Sequence, residues 1–431
     1  MSLTLLHTAD WHIGRIQKTL DTLPYDYLQA QKTALERLLT VVEAHNPDLI
    51  LLAGDLYDTP RPRAEAEALV AEYLLKLTQY GKRLLIAIAG NHDTRTAFAT
   101  YHSWASPFGI ILIGTVQDTL LYHDQTIKST YTLSSPLPGV LKIHFSHINT
   151  SLYLYTFPHL YTSQWPQAYE LPTHDPTEPP KKIDYSEAWQ QLPERFLQEE
   201  PEAYHIFVGH SFCVSNTSAT PEDTPDDEEL SLAQVGAEER HGTEKFHPKL
   251  HYVALGHLHR PHQVGNLPIY YPGSLLWYGP HHPYADRKVI IASWESPQAP
   301  PRIAFESLPL EELRPIVQKA SQEADIDDLL SRDWPERPLL WLTWKAPTHL
   351  SAATLQALSQ KYHLIYKYIP PERSPDPHHF TSEEDALLHL LSQQHDELLR
   401  DFLSYKRWDP EEIQSAITYI FEKYANTTGK D

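Results

Sequence analysis

Cysteine is almost missing: Cys213 is the single one among 431 residues, so no intrachain disulfide framework can form, and a reducing compartment, the cytoplasm, is expected. Long apolar runs are missing too. None approaches the ~20 residues of a membrane span, which argues against a membrane protein. The opening stretch MSLTLLHTAD has no basic segment and is broken by His7, so it reads as a core strand rather than a secretory signal. Positive charge is scarce, with 35 Lys and Arg against 56 Asp and Glu and a formal net charge of −21. That balance argues against a protein that coats nucleic acid through a broad basic face, because such affinity comes from neutralising phosphates. Part of the acidic excess sits in Glu222–Glu229 (EDTPDDEE), which reads as a solvated loop.

What is present is an ordinary globular composition, 41% hydrophobic and 21% charged, over a length that exceeds one core. Two or three domains are expected. The chain is organised around Leu51–Asp58 (LLAGDLYD), an apolar run that stops on Gly54 and presents Asp55. Upstream, LTLLHTADWH ends a similar run on Asp10 and His12; downstream, LLIAIAGNHD ends a third on Asn91, His92 and Asp93. Two later runs, YHIFVGH and HYVALGHLH, end on His210 and on His257 and His259. In α/β sheets the site lies outside the carboxyl ends of the strands, so five such endings should converge. Hard oxygens mixed with imidazoles, and no thiolate, make a metal site of manganese type the economical reading. Residues two apart on an extended segment point the same way, which would let Asp10 and His12, or His257 and His259, face one metal pair.

Asp-x-His, Gly-Asp-x-x-Asp, Gly-Asn-His-Asp, Gly-His and Gly-His-x-His, in this order, resemble the calcineurin-like metallophosphoesterase superfamily. The wording GDLYDTPRP, GNHDT, ALGHLHRPH and YYPGS is similar to its bacterial SbcD-like DNA nuclease subunits, over roughly residues 1–308. The resemblance implies an αββα sandwich holding two divalent metal ions, Mn²⁺. Asp10, His12 and His259 would hold one ion, Asn91, His210 and His257 the other, with Asp55 bridging. His92 would be the general acid. DNA would be the substrate, hydrolysed from duplex ends and cut within hairpins or single strands, in repair and recombination. A coiled-coil ATPase, SbcC-like, would be the partner of a nuclease homodimer within a heterotetramer. The same ligands would equally serve a phosphoesterase of nucleotides or other small esters; full occupancy of all seven ligand positions and of His92 argues against a non-enzymatic scaffold that keeps the fold.

Periodicity predicts a helix with Leu28, Gln31, Leu35, Leu38 and Val42 on one stripe, and another over Ala64–Tyr80 with Gly81 just past its end. Continuous apolar strands flanked by helices predict a central parallel or mixed sheet. The segments GIILIG, TLLY and VLKIHF read as strands of a second sheet, Phe157–Lys182 as a long excursion, and Ser186–Glu199 as a helix. KVIIASWE and PRIAFESLPL should complete the sheet. The expected domains are 1–308 (nuclease), 309–371 (an α+β capping unit of strand, helix and strand), a linker at 372–381 and a helical partner-docking segment at 382–431. Two amphipathic helices are predicted there, after Ser382 and from Asp409. His7 and His144 lie inside apolar strands and read as structural. His159, His262 and the remaining histidines lack a strand-end context and are set aside. Asp58 and Asp93 read as orienting residues, Cys213 as packing. Tyr25, Arg15, Arg61, Arg63 and Arg95 follow the first three motifs and could meet a phosphate backbone.

Overall fold

The computed structural model describes residues 2–122, 125–127, 130–159, 169–171, 181–183, 187–215, 241–280 and 283–370. The linker at 372–381, the helices at 382–431, the acidic loop at 222–229 and much of 157–182 lie outside them.

Leu3–Thr8 (β1), Leu49–Ala53 (β2), Leu84–Ile88 (β3) and Ile110–Ile113 (β4) pair in parallel, with His7 opposite Leu51 and Leu85 opposite Ile110. Their apolar runs are continuous because both faces are covered. Leu5, Leu51 and Ile86 point into one core, while Leu6, Ile50 and Leu85 point into another beneath the helices Leu28–His45 (α1), Ala64–Leu77 (α2) and Arg95–Ala105 (α3). α1 ends where Asn46 takes φ 43°, the left-handed cap that Asn tolerates. α2 stops at Leu77, three residues short of the expected end. There Thr78 Oγ1 turns back onto the carbonyls of Leu74 and Leu75, and Gln79 and Tyr80 take positive φ before Gly81.

The second sheet is built from Gln125–Ile127 (β5), Tyr131–Leu137 (β6), Val140–Phe145 (β7), Thr150–Phe157 (β8), Tyr204–His210 (β9), Tyr252–Gly256 (β10), His262–Gln263 (β11) and Ile269–Tyr271 (β12), in the order β11-β12-β10-β9-β8-β7-β6-β5. The helix Ala188–Glu199 (α4) covers its outer face through Trp189, Leu192 and Phe196. Lys288–Trp294 (β13) and Arg302–Ser307 (β14) return antiparallel to the first sheet, beside β1. Helices, two sheets and helix therefore stack as αββα, with the inner core of Leu3, Leu51, Ile86, Ile143, Leu154, Ile206 and Ala254 between the sheets.

Two expectations are corrected. GIILIG belongs to the first sheet, because α3 completes another βαβ unit and brings β4 parallel to β3. The TLLY segment is part of a 3₁₀ helix, Val116–Tyr122, whose Tyr122 hydroxyl meets the backbone of Leu112.

After β14 the strands Ile316–Ala320 (β15), Leu339–Lys345 (β16) and His363–Ile369 (β17) form a separate parallel sheet, with Glu323–Ser331 (α5) and Ala352–Lys361 (α6). It is larger than strand-helix-strand by β15 and α5. It has its own core of Ile326, Leu340, Leu342, Leu358 and Leu364, and leans on the α1 side through Leu339, Trp341 and Ile365. Among the described residues no helix is long and apolar enough to cross a membrane.

Two buried histidines are expected to make this fold acid-sensitive. Burial pushes His205 down to about 4 and His7 to about 3. His205 is satisfied as the neutral ring: Nε2–H donates to Glu200 O at 3.1 Å and Nδ1 accepts from the Tyr155 hydroxyl at 2.8 Å. The unfolded chain takes up this proton from 6.5 downward while the native chain resists, so stability falls between 6.5 and about 4. His205 alone should cost on the order of 3 kcal/mol across that window. Urea unfolding of chelator-treated protein from pH 7 to 4.5 should show a shallower slope for His205→Gln than for wild type; coincident slopes would exclude the assignment.

Candidate metal centre

The chain does not stay extended beyond β1. Asp10 and His12 take φ 52° and 46°, and after β2 Asp55 takes φ 52° behind Gly54 at 91°. Alternation along an extended strand is therefore not what aims Asp10 and His12 at one place. Left-handed turns do it, each costing roughly 1–2 kcal/mol for a non-glycine residue, and surrounding hydrogen bonds hold them. Asp10 N–H donates to Gly54 O and His12 N–H to Asp55 O, both at 3.0 Å, zipping the two motif loops together. Gln31 explains its place in an apolar stripe here: its amide donates to His12 O at 2.6 Å and accepts from Gly14 N–H at 2.9 Å.

The seven residues read from strand ends meet in one cluster across the carboxyl edges of both sheets. Ligand atoms of Asp10, His12 and His259 lie within 4.8 Å of one another, as do those of Asp10, Asp55 and His210. His12 Nε2 is 3.1 Å from His259 Nε2 and 3.6 Å from Asp55 Oδ2. On the other side His210 Nε2 is 3.4 Å from Asp55 Oδ2 and 2.9 Å from Asn91 Oδ1. The His257 ring stands 5.3 Å from that of His210, and its backbone N–H donates to both oxygens of Asp10. His210 Nδ1–H donates to Ala53 O at 2.8 Å, which leaves Nε2 as its ligand atom.

This donor set fits divalent cations. Asp10 and Asp55 are buried, and among the described residues no Lys or Arg pairs with either; Asp55 pairs with the histidines His12 and His210, and Asp10 stands beside Asp55 and Asp93. The facing nitrogens of His12 and His259 call for a positive centre between them. Protonation states tell the same story: burial drives the Asp10 carboxyl well above its usual range. Burial also raises Asp55, but the charge and hydrogen bond of His210 outweigh it and hold that carboxylate well below. His210, lowered by burial, is lifted by Asp55 to about 10.

His92 lies half-buried at the rim. Its Nδ1–H donates to Asp58 O at 2.7 Å, so Nε2 is the nitrogen left to exchange a proton, and its ring stands 4.7 Å from that of His12. Asp93 accepts from the backbone N–H groups of Leu56, Tyr57 and Gly90, tying the second and third motif loops together. Asp58 lies 3.5 Å from His12 Nδ1 and accepts from Arg15 at 3.2 Å. Arg15 is therefore turned inward, bonded to Asp58 and to Tyr278 O, rather than offered to a phosphate. Arg63 is ion-paired with Asp26, Tyr25 packs between Tyr27 and His363, and Arg61 stays exposed. His7 and Cys213 are buried as packing residues, and His144 is half-buried against Ser151.

Sequence reasoning passed over two supports of this centre. Arg287 donates to His259 O at 3.1 Å and to Ser274 Oγ at 3.2 Å, bracing the segment after β10. His159, set aside for lack of a strand end, in fact follows β8 directly. No local pattern marks Arg287, which acts on residues distant in the chain, whereas the strand end before His159 was the signal that could have found it.

The family profile described as calcineurin-like phosphoesterase matches residues 3–261. A protein described as the SbcD component of the SbcCD nuclease, from Staphylococcus epidermidis, is 27% identical over 278 residues, covering 64% of this chain and 62% of its own length. One of the same description from Bacillus subtilis is 29% identical over 282 residues, with 64% and 62% covered. The chain thus spans about 62% of the length of these curated relatives. Among solved structures, the calcineurin-like phosphoesterase YfkN from Bacillus subtilis aligns at 12% identity with a TM-score of 0.33, over 71% of this chain and 91% of that one.

Proposed function

The chain belongs to the calcineurin-like phosphoesterase family, and from that premise we propose that it is a two-metal DNA phosphodiesterase, the nuclease subunit of an assembly with an SbcC-like coiled-coil ATPase. The observation that carries this reading is Asp55 standing between the His12 and His210 groups. Asp10, His12 and His259 would hold one ion and Asn91, His210 and His257 the other, with Asp55 shared and Mn²⁺ as the metal suited to these donors. When bound, such ions supply Lewis acidity to the phosphate and lower the pKa of water. His92, with Nδ1 committed to Asp58 O, delivers a proton from Nε2 to the departing 3′ oxygen, a contribution of roughly 10²–10⁴ in rate.

ATP-dependent exonuclease action on duplex ends and endonuclease action on hairpins or single strands, in DNA repair and recombination in the cytoplasm, complete the proposal. A homodimer within a heterotetramer is its assembly. The net charge of −21 accords with a subunit that leaves much of the DNA grip to its partner. We assign partner docking to residues 382–431 and the capping role to 309–371.

Purified protein with Mn²⁺ should be tested on end-labelled duplex, hairpin and circular single-stranded DNA beside bis-p-nitrophenyl phosphate, with and without the ATPase. Cleavage of DNA is expected. Hydrolysis of the small ester alone, even with the ATPase present, would favour a phosphoesterase of nucleotides or other small phosphoesters instead.

A further inference from the structure

Resting on the metal-centre reading above, we infer that His159 is a positioning residue whose Nδ1–H sets the separation of Asn91 and His210, and with it the affinity of the metal site those two share. β8 pairs in parallel with β9 from Leu152 opposite Tyr204 to Phe157 opposite Gly209. Its carboxyl end therefore arrives at the same edge as His210. Two residues later the chain meets the other sheet: His159 N–H donates to Ala89 O at 3.0 Å. Ala89 immediately precedes Gly90 and Asn91. The His159 ring turns the opposite way, and Nδ1 lies 3.4 Å from His210 O; a carbonyl only accepts, so Nδ1 carries the proton.

One residue thus grips a backbone carbonyl from each sheet, just behind two groups whose ligand atoms are 2.9 Å apart. Its ring also stands edge-on to the His210 ring, with centroids 5.9 Å apart and planes at 86°. The alternative, that His159 only fills space, makes a different demand on the side chain. Filling space needs a ring of this size; the backbone bond to Ala89 O can be made by any non-proline residue. Only the Nδ1–H bond needs a donor at that one position. Asparagine offers an amide N–H at nearly the same place, whereas glutamine offers it one atom further out and phenylalanine keeps the ring without a donor.

The test is Mn²⁺ binding by titration calorimetry on the full chain, with stoichiometry checked by elemental analysis and folding by near-ultraviolet circular dichroism. Wild type should take up two ions. His159→Phe and His159→Gln should keep one site unchanged and weaken the other by roughly 10–100-fold, the usual scale for groups that orient ligands. His159→Asn should stay within about threefold of wild type. Should His159→Phe not fold, the Asn and Gln variants carry the comparison. Unchanged binding of both ions by His159→Gln, or equal weakening in the Asn and Gln variants, overturns the clasp while leaving the metal centre standing. Equal weakening of both sites overturns its assignment to the Asn91–His210 site. Uptake of no metal by wild type overturns the metal centre itself, and the clasp with it.

Discussion

Asp55→Ala is expected to lose metal binding and phosphodiester hydrolysis together, whereas His92→Ala should keep its metal and lose turnover alone. Asp55 Oδ2 lies 3.6 Å from His12 Nε2 and 3.4 Å from His210 Nε2, so one carboxylate serves both halves of the cluster. Its other oxygen accepts the His92 backbone N–H at 2.9 Å, which also places the loop carrying Asn91. Removing it leaves the imidazoles without their shared anion. If the ions supply several kcal/mol of transition-state stabilisation, the rate falls by roughly a thousandfold or more. A ring nitrogen of His92 lies within 4.8 Å of ligand atoms of His12 and Asp55, but its Nδ1 is committed to Asp58 O, and its replacement should cost roughly 10²–10⁴ in rate at unchanged stoichiometry. Metal content measured beside hydrolysis separates the two. Loss of metal from His92→Ala, or near-normal turnover by it, would remove the proton-donor role.

Gly90→Ala should damage the centre almost as severely, although Gly90 offers no ligand. A Cβ there would stand 2.1 Å from Asp55 Oδ1 and 2.4 Å from Asp55 N, contacts that only a shift of one motif loop against the other can relieve. The same loops are joined by Asp93, which accepts from Gly90 N–H and Leu56 N–H, so neither can move alone. Metal affinity should fall by roughly a hundredfold, at the upper end for groups that orient ligands, and overpacking should cost about 1–3 kcal/mol in stability. Gly242→Ala is the matched control, because the nearest atoms to its added Cβ belong to the end of the Glu244 side chain rather than to backbone. Manganese titration and urea unfolding of both variants decide the matter. A Gly90→Ala protein with wild-type metal affinity would mean that the loops yield more easily than the contacts imply.

The strand ends that carry Asp10, His12, Asp55, Asn91, His210, His257 and His259 were legible in the sequence, since each follows an apolar run that ends abruptly in polar residues, and the structure brings these residues together. So were β1 to β3 and α1, whose patterns come from burial on one or two faces of the same short segment. Their mutual arrangement was not legible. His12 turns towards His259 because Asp10 and His12 bend left-handed and bond to Gly54 O and Asp55 O, more than forty residues away, and His210 turns towards Asn91 with its Nδ1–H held by Ala53 O. β4 took the opposite sheet from the one expected, as its run of isoleucines suits either. Arg15 turned inward because Asp58, from another motif, waits there. His159 follows a strand end, but its partners Ala89 and His210 belong to other segments and were not legible. A residue's chemistry and the periodicity around it are local, so the sequence alone determined which candidate groups strand ends deliver. Which carbonyl accepts from which ring, and which strand lies beside which, depends on pairing between segments remote in the chain; only the folded packing decided it, because those contacts form at once or not at all.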